Sequence, residues 1–275
     1  MVARRFGDVP GVSRLSYVLH TLMRAQFCTG FGYVWPAKCQ MSHAGNVWGP
    51  LLDLVMPRQC AACALPGFVL CAGCRMAVQA QPVVAVSATV CAVSDPLGLG
   101  RAVVRGYKVG GHRSLAPLIA DSLARAVRQS LGSRRWPPRV AIVAVPQRRR
   151  AQATRGFDST AVIARKAARL LTQDGIACVV VQGVGYVRQP DDQRGLGVTE
   201  RHLNVVGSMK LSGKAGRRVC GEEFGMVVAV DDVVTTGATL AELTRSLVAG
   251  GASCVGAAAA FSTPRRCHLS SKSPG

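Results

Sequence analysis

Asp231 and Asp232 stand side by side at the end of an apolar run, Met226-Val-Val-Ala-Val230, and Val-Val-Thr-Thr-Gly-Ala-Thr239 follows at once. Two adjacent carboxylates accept hydrogen bonds and donate none, so they suit vicinal hydroxyls, with or without a magnesium ion nearby. The turn Thr235, Thr236, Gly237, Ala238, Thr239 suits an anion instead. Gly237 lets the backbone come close, amides at a helix start point outward, and the helix dipole favours negative charge. The three threonine hydroxyls add donors. Carboxylates repel a phosphate, so the two features should grip different parts of one ligand. A phosphate at one end and a diol a few ångströms away is a ribose 5-phosphate, and the stretch reads as a phosphoribosyl site. A buried strand and a capped helix would explain the valines and the turn without any ligand, but not two uncompensated acids. Gly213-Lys214 and Gly183-Val-Gly185 do not complete a P-loop or a dinucleotide fingerprint.

Such a site needs a strand that ends at the acids and a helix that begins at the turn. The Val-rich run predicts a strand, Met226 to Val230, buried on both faces as in a parallel sheet. The acids then fall where the chain leaves it, at a carboxyl end, where open α/β sheets hold ligands. Leu240, Leu243, Leu247 and Val248 predict one apolar helix face.

A second unit of the same kind precedes it. Arg139 to Val145 predicts a buried strand, then Pro146-Gln147-Arg148-Arg149-Arg150 forms a basic loop continuing through Arg155-Gly-Phe157. A helix capped by Asp158 or Ser159 follows, with Val162, Ile163, Ala167, Leu170 and Leu171 inward. This loop should share the sheet edge of Asp231. From Arg101 to Arg155 there are thirteen Lys and Arg against one Asp, which suits a pyrophosphate leaving group whose charge grows as its bond breaks. A solvated basic loop or a DNA-binding face would use the same residues.

A strand or hairpin is predicted at Pro82 to Val93, and further strands at Ile176 to Val181 and Ala252 to Phe261. Ser114 should cap a helix with Leu115, Leu118, Ile119, Leu123 and Val127 inward and Arg125 and Arg128 outward. Lys108 falls in a glycine-flanked turn. The long polar stretch Tyr186 to Asn204 has the character of a lid that keeps water from the reaction. The fold class is therefore α/β, a doubly wound, mainly parallel sheet.

Cys60-Ala-Ala-Cys63 and Cys71-Ala-Gly-Cys74 each fold a tight turn with two sulfurs facing one point, and together predict a structural four-thiolate zinc site. A redox dithiol or a pair of disulfides would use the same spacing. The chain has eleven cysteines in 275 residues, a formal charge of +20 and a pI near 10.5. The scatter of cysteines suits a reducing compartment, and the charge predicts acidic partners, polyphosphate or nucleic acid. No apolar run reaches the ~18 residues of a membrane helix. Leu15 to Met23, broken by His20, argues against a secretory signal, and a cytoplasmic location is the expectation. The expected organisation is a basic, aromatic extension over 1–47, for which Met41 is an alternative start, then a zinc module over 48–80. The α/β domain follows over 81–263, with a basic tail over 264–275.

The order of these pieces from Leu51 to Phe261 resembles the ComF (competence protein F) branch of the type I phosphoribosyltransferases. Asp231 to Thr239 looks like the PRPP motif of that fold, and the paired Cys-x-x-Cys like the ComF zinc module. Tyr107-Lys108 with Gly111 resembles a Tyr-Lys-x-x-Gly segment, and Val145-Pro146 through Phe157 a pyrophosphate loop. Gln193, Leu196, Arg201 and Asn204 match a flexible loop. Asp158 stands where the pattern has Asn, and Gly197 where it has Ser. The resemblance implies PRPP with magnesium, the acidic pair on the ribose hydroxyls, Lys108 and the 146–150 loop at the ligand, and Arg201 closing over it. It also implies a cytosolic role in uptake of single-stranded DNA, beside a helicase. The alternative to an enzyme is a non-catalytic protein that uses this fold to hold single-stranded DNA.

Overall fold

The computed structural model describes residues 58–132, 139–188, 204–219, 221, 223–252 and 255–263. The expected extension over 1–47, the tail over 264–275 and the stretch carrying Gln193, Leu196 and Arg201 lie outside the described residues, as do the side chains of Arg149 and Arg150.

The chain divides between Val69 and Leu70. From Leu70 on, the first helix is α1 (Ala72–Gln79), and a hairpin of β1 (Val83–Ala85) and β2 (Val90–Ser94) follows. Next come α2 (Leu99–Lys108), a 3₁₀ turn at Arg113–Leu115, and α3 (Ala116–Leu131). The strand β3 (Val140–Ala144) leads through a short α4 (Arg149–Arg155) to α5 (Ser159–Gln173) and β4 (Cys178–Val180). An antiparallel ribbon of β5 (Val184–Tyr186) and β6 (Met209–Leu211) stands apart from the main sheet. Helix α6 (Gly213–Val219), β7 (Met226–Val234), α7 (Ala238–Ala249) and β8 (Val255–Ser262) complete the order.

The main sheet runs β1-β2-β8-β7-β3-β4, parallel throughout except for the edge strand β1. Its central strands are almost wholly apolar and carry no solvent face, as parallel strands covered on both sides must be. Ala141, Val143, Val227 and Ala229 share one core with Leu240, Leu243 and Leu247 of α7, and Tyr186 of the ribbon packs against it. By alternation Ile142, Val228 and Val230 face the other way, and α3 and α5 cover the sheet there. Gly100 lets α2 close onto the sheet: a Cβ there would lie 2.4 Å from Cδ1 of Phe261. No helix among the described residues is long and apolar enough to cross a membrane.

Several local expectations are corrected. Strand β7 does not end at Val230 but runs to Val234, because β8 stays paired with it as far as Val234↔Ser262. Lys108 is the last residue of a helix rather than part of a turn. Ser114 lies within the 3₁₀ turn, and α3 starts from Leu115 with Pro117 in its first turn and no side-chain cap. Val248 is 55% exposed. The buried face of α7 is centred nearer Leu243 and Ser246, which takes in Glu242 and leaves Val248 outside. Arg125 is not simply solvated: its guanidinium donates to the carbonyls of Gln79 and Gln81, tying the α1–β1 link to α3.

Candidate functional site

The acids owe their position to unequal strand lengths. On one side β7 is bonded to β8 to its end, whereas on the other β3 stops pairing at Ala144↔Val230, with one last bond from Val145 N–H to the Val230 carbonyl at 2.9 Å. Asp231 to Val234 therefore overhang the carboxyl end of β3, beside the start of its basic loop. Since strand side chains alternate, the two acids leave on opposite faces, Asp231 toward the α7 and ribbon side and Asp232 toward the α3 and α5 side. The charge of Asp232 nonetheless acts on Asp231, so the two carboxylates stay neighbours on the overhang.

Each acid has its own environment. Asp232 is 5% exposed and its Oδ2 is ion-paired with Nζ of Lys108, delivered by the end of α2. Burial alone would lower the Lys108 pKa, but Asp232 and then Asp231 outweigh it and hold the ammonium above its ordinary value. Asp231 is partly buried, and its Oδ1 accepts the Asp232 N–H at 2.8 Å. Burial first, and then the neighbouring charge of Asp232, push its carboxyl up to about 7 against the opposing pull of Lys108. On the same side burial pushes the Tyr186 phenol up to about 12; Asp231 adds to that and Arg148 opposes it, so both charges act on Tyr186.

After β7, Gly237 adopts φ +82°, the left-handed region that glycine tolerates best, and serves as the N-cap of α7. Oγ1 of Thr236 accepts the Ala238 N–H at 3.4 Å, so one amide of the turn already has a weak internal partner. Thr235 is exposed, and Thr236 and Gly237 are partly so. The turn therefore opens outward at the same strand end as the acids.

The loop after β3 is held from behind. Nε2 of Gln147 donates to Oγ of Ser159 and, at 3.4 Å, to Oγ1 of Thr160, while Oε1 of Gln147 accepts from Arg155 at 3.3 Å. Gln147 thus anchors the loop to the start of α5. Arg155 retains a buried Nε without a hydrogen-bond partner. Asp158 caps α5, its Oδ1 accepting the Ala161 N–H at 3.0 Å, a role that Asn fills equally well. Phe157 meets the Tyr107 ring edge-on at 6.0 Å, and the Arg113 guanidinium lies 4.8 Å from its centroid. The Tyr107 hydroxyl donates to the Ser159 carbonyl at 3.4 Å. Tyr107, beside Lys108, is thereby locked to the loop region, which explains how the end of α2 reaches Asp232.

Two further residues belong to this region: Glu242, which sequence reasoning passed over, and Tyr186, which it assigned to the start of the lid and which instead ends β5. Glu242 carries a buried carboxylate on α7 and Tyr186 comes from the ribbon. A glutamate on the face between Leu240 and Leu243 was the available sign for the first; nothing in the local pattern marked the second.

The four-cysteine cluster is separate from the acids in sequence and chemistry. Around Cys60 and Cys63 a tight turn closes with Cys60 N–H to the Leu65 carbonyl and Ala64 N–H to the Cys60 carbonyl, both at 2.8 Å. Cys71 is the N-cap of α1, its Sγ accepting the Cys74 N–H at 3.4 Å. The sulfurs of Cys60, Cys63, Cys71 and Cys74 all lie within 4.8 Å of one another. Thiolates around a tetrahedral zinc ion are about 3.8 Å apart, so the set fits a closed four-sulfur shell. Burial raises the thiol pKa of Cys91 and pushes that of Cys178 up to about 11, which suits packed rather than reactive groups.

No protein-family model matches the chain, and no curated protein does either. Among solved structures it is similar to a glutamine mutant of an HPRT at an invariant aspartic acid, with 12% identity over 54% of this chain and 77% of that one and a TM-score of 0.33. It is also similar to a hypoxanthine phosphoribosyltransferase from Staphylococcus aureus (12% identity, 57% of this chain, 69% of that one, TM-score 0.30). A third is adenine phosphoribosyl transferase from Trypanosoma brucei in complex with AMP, pyrophosphate and ribose-5-phosphate (12%, 65%, 74%, 0.36).

Proposed function

We propose that the chain is a phosphoribosyltransferase-like protein of the ComF type, binding PRPP with magnesium and displacing pyrophosphate from C1 of the ribose. The observation that carries the reading is the overhang of β7: two acids and a glycine-capped helix start share one strand end, beside the basic loop of the adjacent parallel strand. Asp231 and Asp232 accept from the ribose hydroxyls, and Thr235 to Thr239 take the 5-phosphate with backbone amides and hydroxyls. Pro146 to Arg150 and Lys108 are assigned to the pyrophosphate, where positive charge offsets the charge that develops as it leaves. Arg201 closes over the ligand. Magnesium enters with the ligand, since carboxylate and phosphate oxygens are the donors it prefers, and zinc fills the four-sulfur shell. A reducing cytoplasm accords with thiols kept for a metal.

A screen for pyrophosphate release from PRPP across nucleobases and simple amines tests the reaction. The expected result is release that depends on one acceptor class and disappears in Asp231→Asn.

A second reading, single-stranded DNA binding in competence beside a helicase partner, draws on Arg101 and Arg105, both exposed and one helical turn apart on α2. Salt separates the two. Contact with many phosphates gives a steep fall of log K with log salt, whereas one PRPP in a pocket gives a shallow one. Arg149→Ala with Arg150→Ala weakens pyrophosphate binding under the first reading and DNA alone under the second.

A further inference from the structure

The side chain of Glu242 is 1% exposed, on the same helix whose first turn faces the site. A carboxylate is seldom buried without partners, and those of Glu242 are specific. Oε1 accepts the Met209 N–H at 2.9 Å and one Arg245 nitrogen at 2.9 Å, while Oε2 accepts Arg245 Nε at 2.7 Å. The same Arg245 nitrogen, Nη2, also reaches back to the ribbon, donating to the Met209 carbonyl at 3.2 Å. Glu242 and Arg245 therefore take both polar groups of one ribbon residue.

This is geometrically natural only at one kind of position. In the ribbon Val187 N–H donates to the Ser208 carbonyl and Ser212 N–H to the Gly183 carbonyl, both at 2.8 Å, which makes those the hydrogen-bonded pairs. Tyr186↔Met209 lies between them and is a non-hydrogen-bonded pair. In such a pair the backbone groups point away from the ladder and the two side chains come closest. The clamp thus uses the free backbone edge of Met209, and the side chain that it fixes most directly is that of Tyr186. Met209 is 2% exposed in the core shared by β7 and α7, and Tyr186 packs on that core, on the face from which Asp231 leaves. Leu211, the other non-hydrogen-bonded position of β6, lies close enough to α7 that a Cβ on Gly250 would meet its Cδ2 at 2.5 Å.

We propose that Glu242, with Arg245, is a positioning residue that holds Tyr186 as a wall beside Asp231, making Tyr186 a determinant of what the acid site accepts. The ribbon register puts Tyr186 on the same face as Met209, against the core shared with β7, and the action of the Asp231 and Arg148 charges on Tyr186 agrees with it. Helix α7 then does two things at once: its start forms the anion turn, and one turn later it fixes the ribbon. The bearing on ligands rests on the phosphoribosyl reading; the positioning does not.

The test uses the full chain labelled with carbon-13 at Cζ of tyrosine, the Tyr186 signal being identified by its loss in Tyr186→Phe. Asp231→Asn and Glu242→Gln should each move the Tyr186 signal, with Tyr107 unmoved by Glu242→Gln. Amide exchange at Met209 should quicken about tenfold in Glu242→Gln while the β7 amides stay protected. Arg245→Gln, on a half-exposed side chain, gives the same reading if Glu242→Gln does not fold. An unmoved Tyr186 signal in folded variants overturns the proposal. Ribose 5-phosphate is the ligand probe. If it binds and leaves the Tyr186 signal in place, the wall is refuted. If it does not bind, while Tyr186 still answers to Asp231→Asn and Glu242→Gln, the positioning stands and the phosphoribosyl reading fails.

Discussion

Lys108 and Asp232 are far apart in the chain and form an ion pair at the carboxyl edge of the sheet, with side chains 24% and 8% exposed. A buried carboxylate left alone is costly, and the lysine at the end of α2 supplies its counter-charge. Replacing Lys108 with Met should cost about 2 kcal/mol, less than a fully buried pair because the lysine keeps some water. Asp232→Asn in the same chain should recover part of the loss. A double-mutant cycle in urea measures this, and strict additivity would mean that the pair contributes nothing.

Asp231 predicts a pH dependence of the opposite sign to that of an ordinary salt-bridged acid. Its folded pKa, about 7, lies above the unfolded value of 3.8. The folded state therefore holds the proton more tightly, and this contribution to stability is fully present below the unfolded value and is lost as pH rises through about 7. Asp231→Asn should flatten the decline in unfolding midpoint between pH 5 and pH 8. A wild-type curve that is no steeper than the variant's would contradict it.

The four-sulfur shell predicts one zinc ion per chain by elemental analysis of metal-replete protein. Cys60→Ser should lose the ion, and a chelator should lower the thermal midpoint of wild type but not of the variant. A wild type purified and reloaded with zinc that still contains none would exclude the site.

Gly100→Ala tests the packing of α2. The new methyl would run into the Phe261 ring, a buried side chain. Overpacking of this kind costs about 1–3 kcal/mol. Because α2 carries Lys108, the same change should also weaken the Lys108–Asp232 coupling, visible as a smaller interaction term in the cycle above.

The elements that proved legible were those whose pattern is local. The valines of β7 and β3, the leucines of α3 and the glycine that caps α7 announce themselves through period and backbone need. The cysteine spacing did the same for the four-sulfur cluster. The length of β7 was misjudged because acids read as the end of a strand, whereas pairing with β8 continues regardless of side-chain polarity. The pairing of Lys108 left no local sign because its partner lies on another element. Glu242 was missed, and Tyr186 taken for the start of a lid, for the same reason: their positions arise from register and from a helix face meeting a ribbon, and neither leaves a periodic trace in its own segment.

The central claim is that the overhanging acids and the Gly237 turn grip opposite ends of one phosphoribosyl ligand. Isothermal calorimetry with PRPP and magnesium, on wild type and on Asp231→Asn, tests it most directly. The account predicts saturable one-to-one binding to the wild type, weakened at least about tenfold, or roughly 1.4 kcal/mol, in a variant that remains folded. No heat of binding in the wild type, or equal affinity in both proteins, would contradict it.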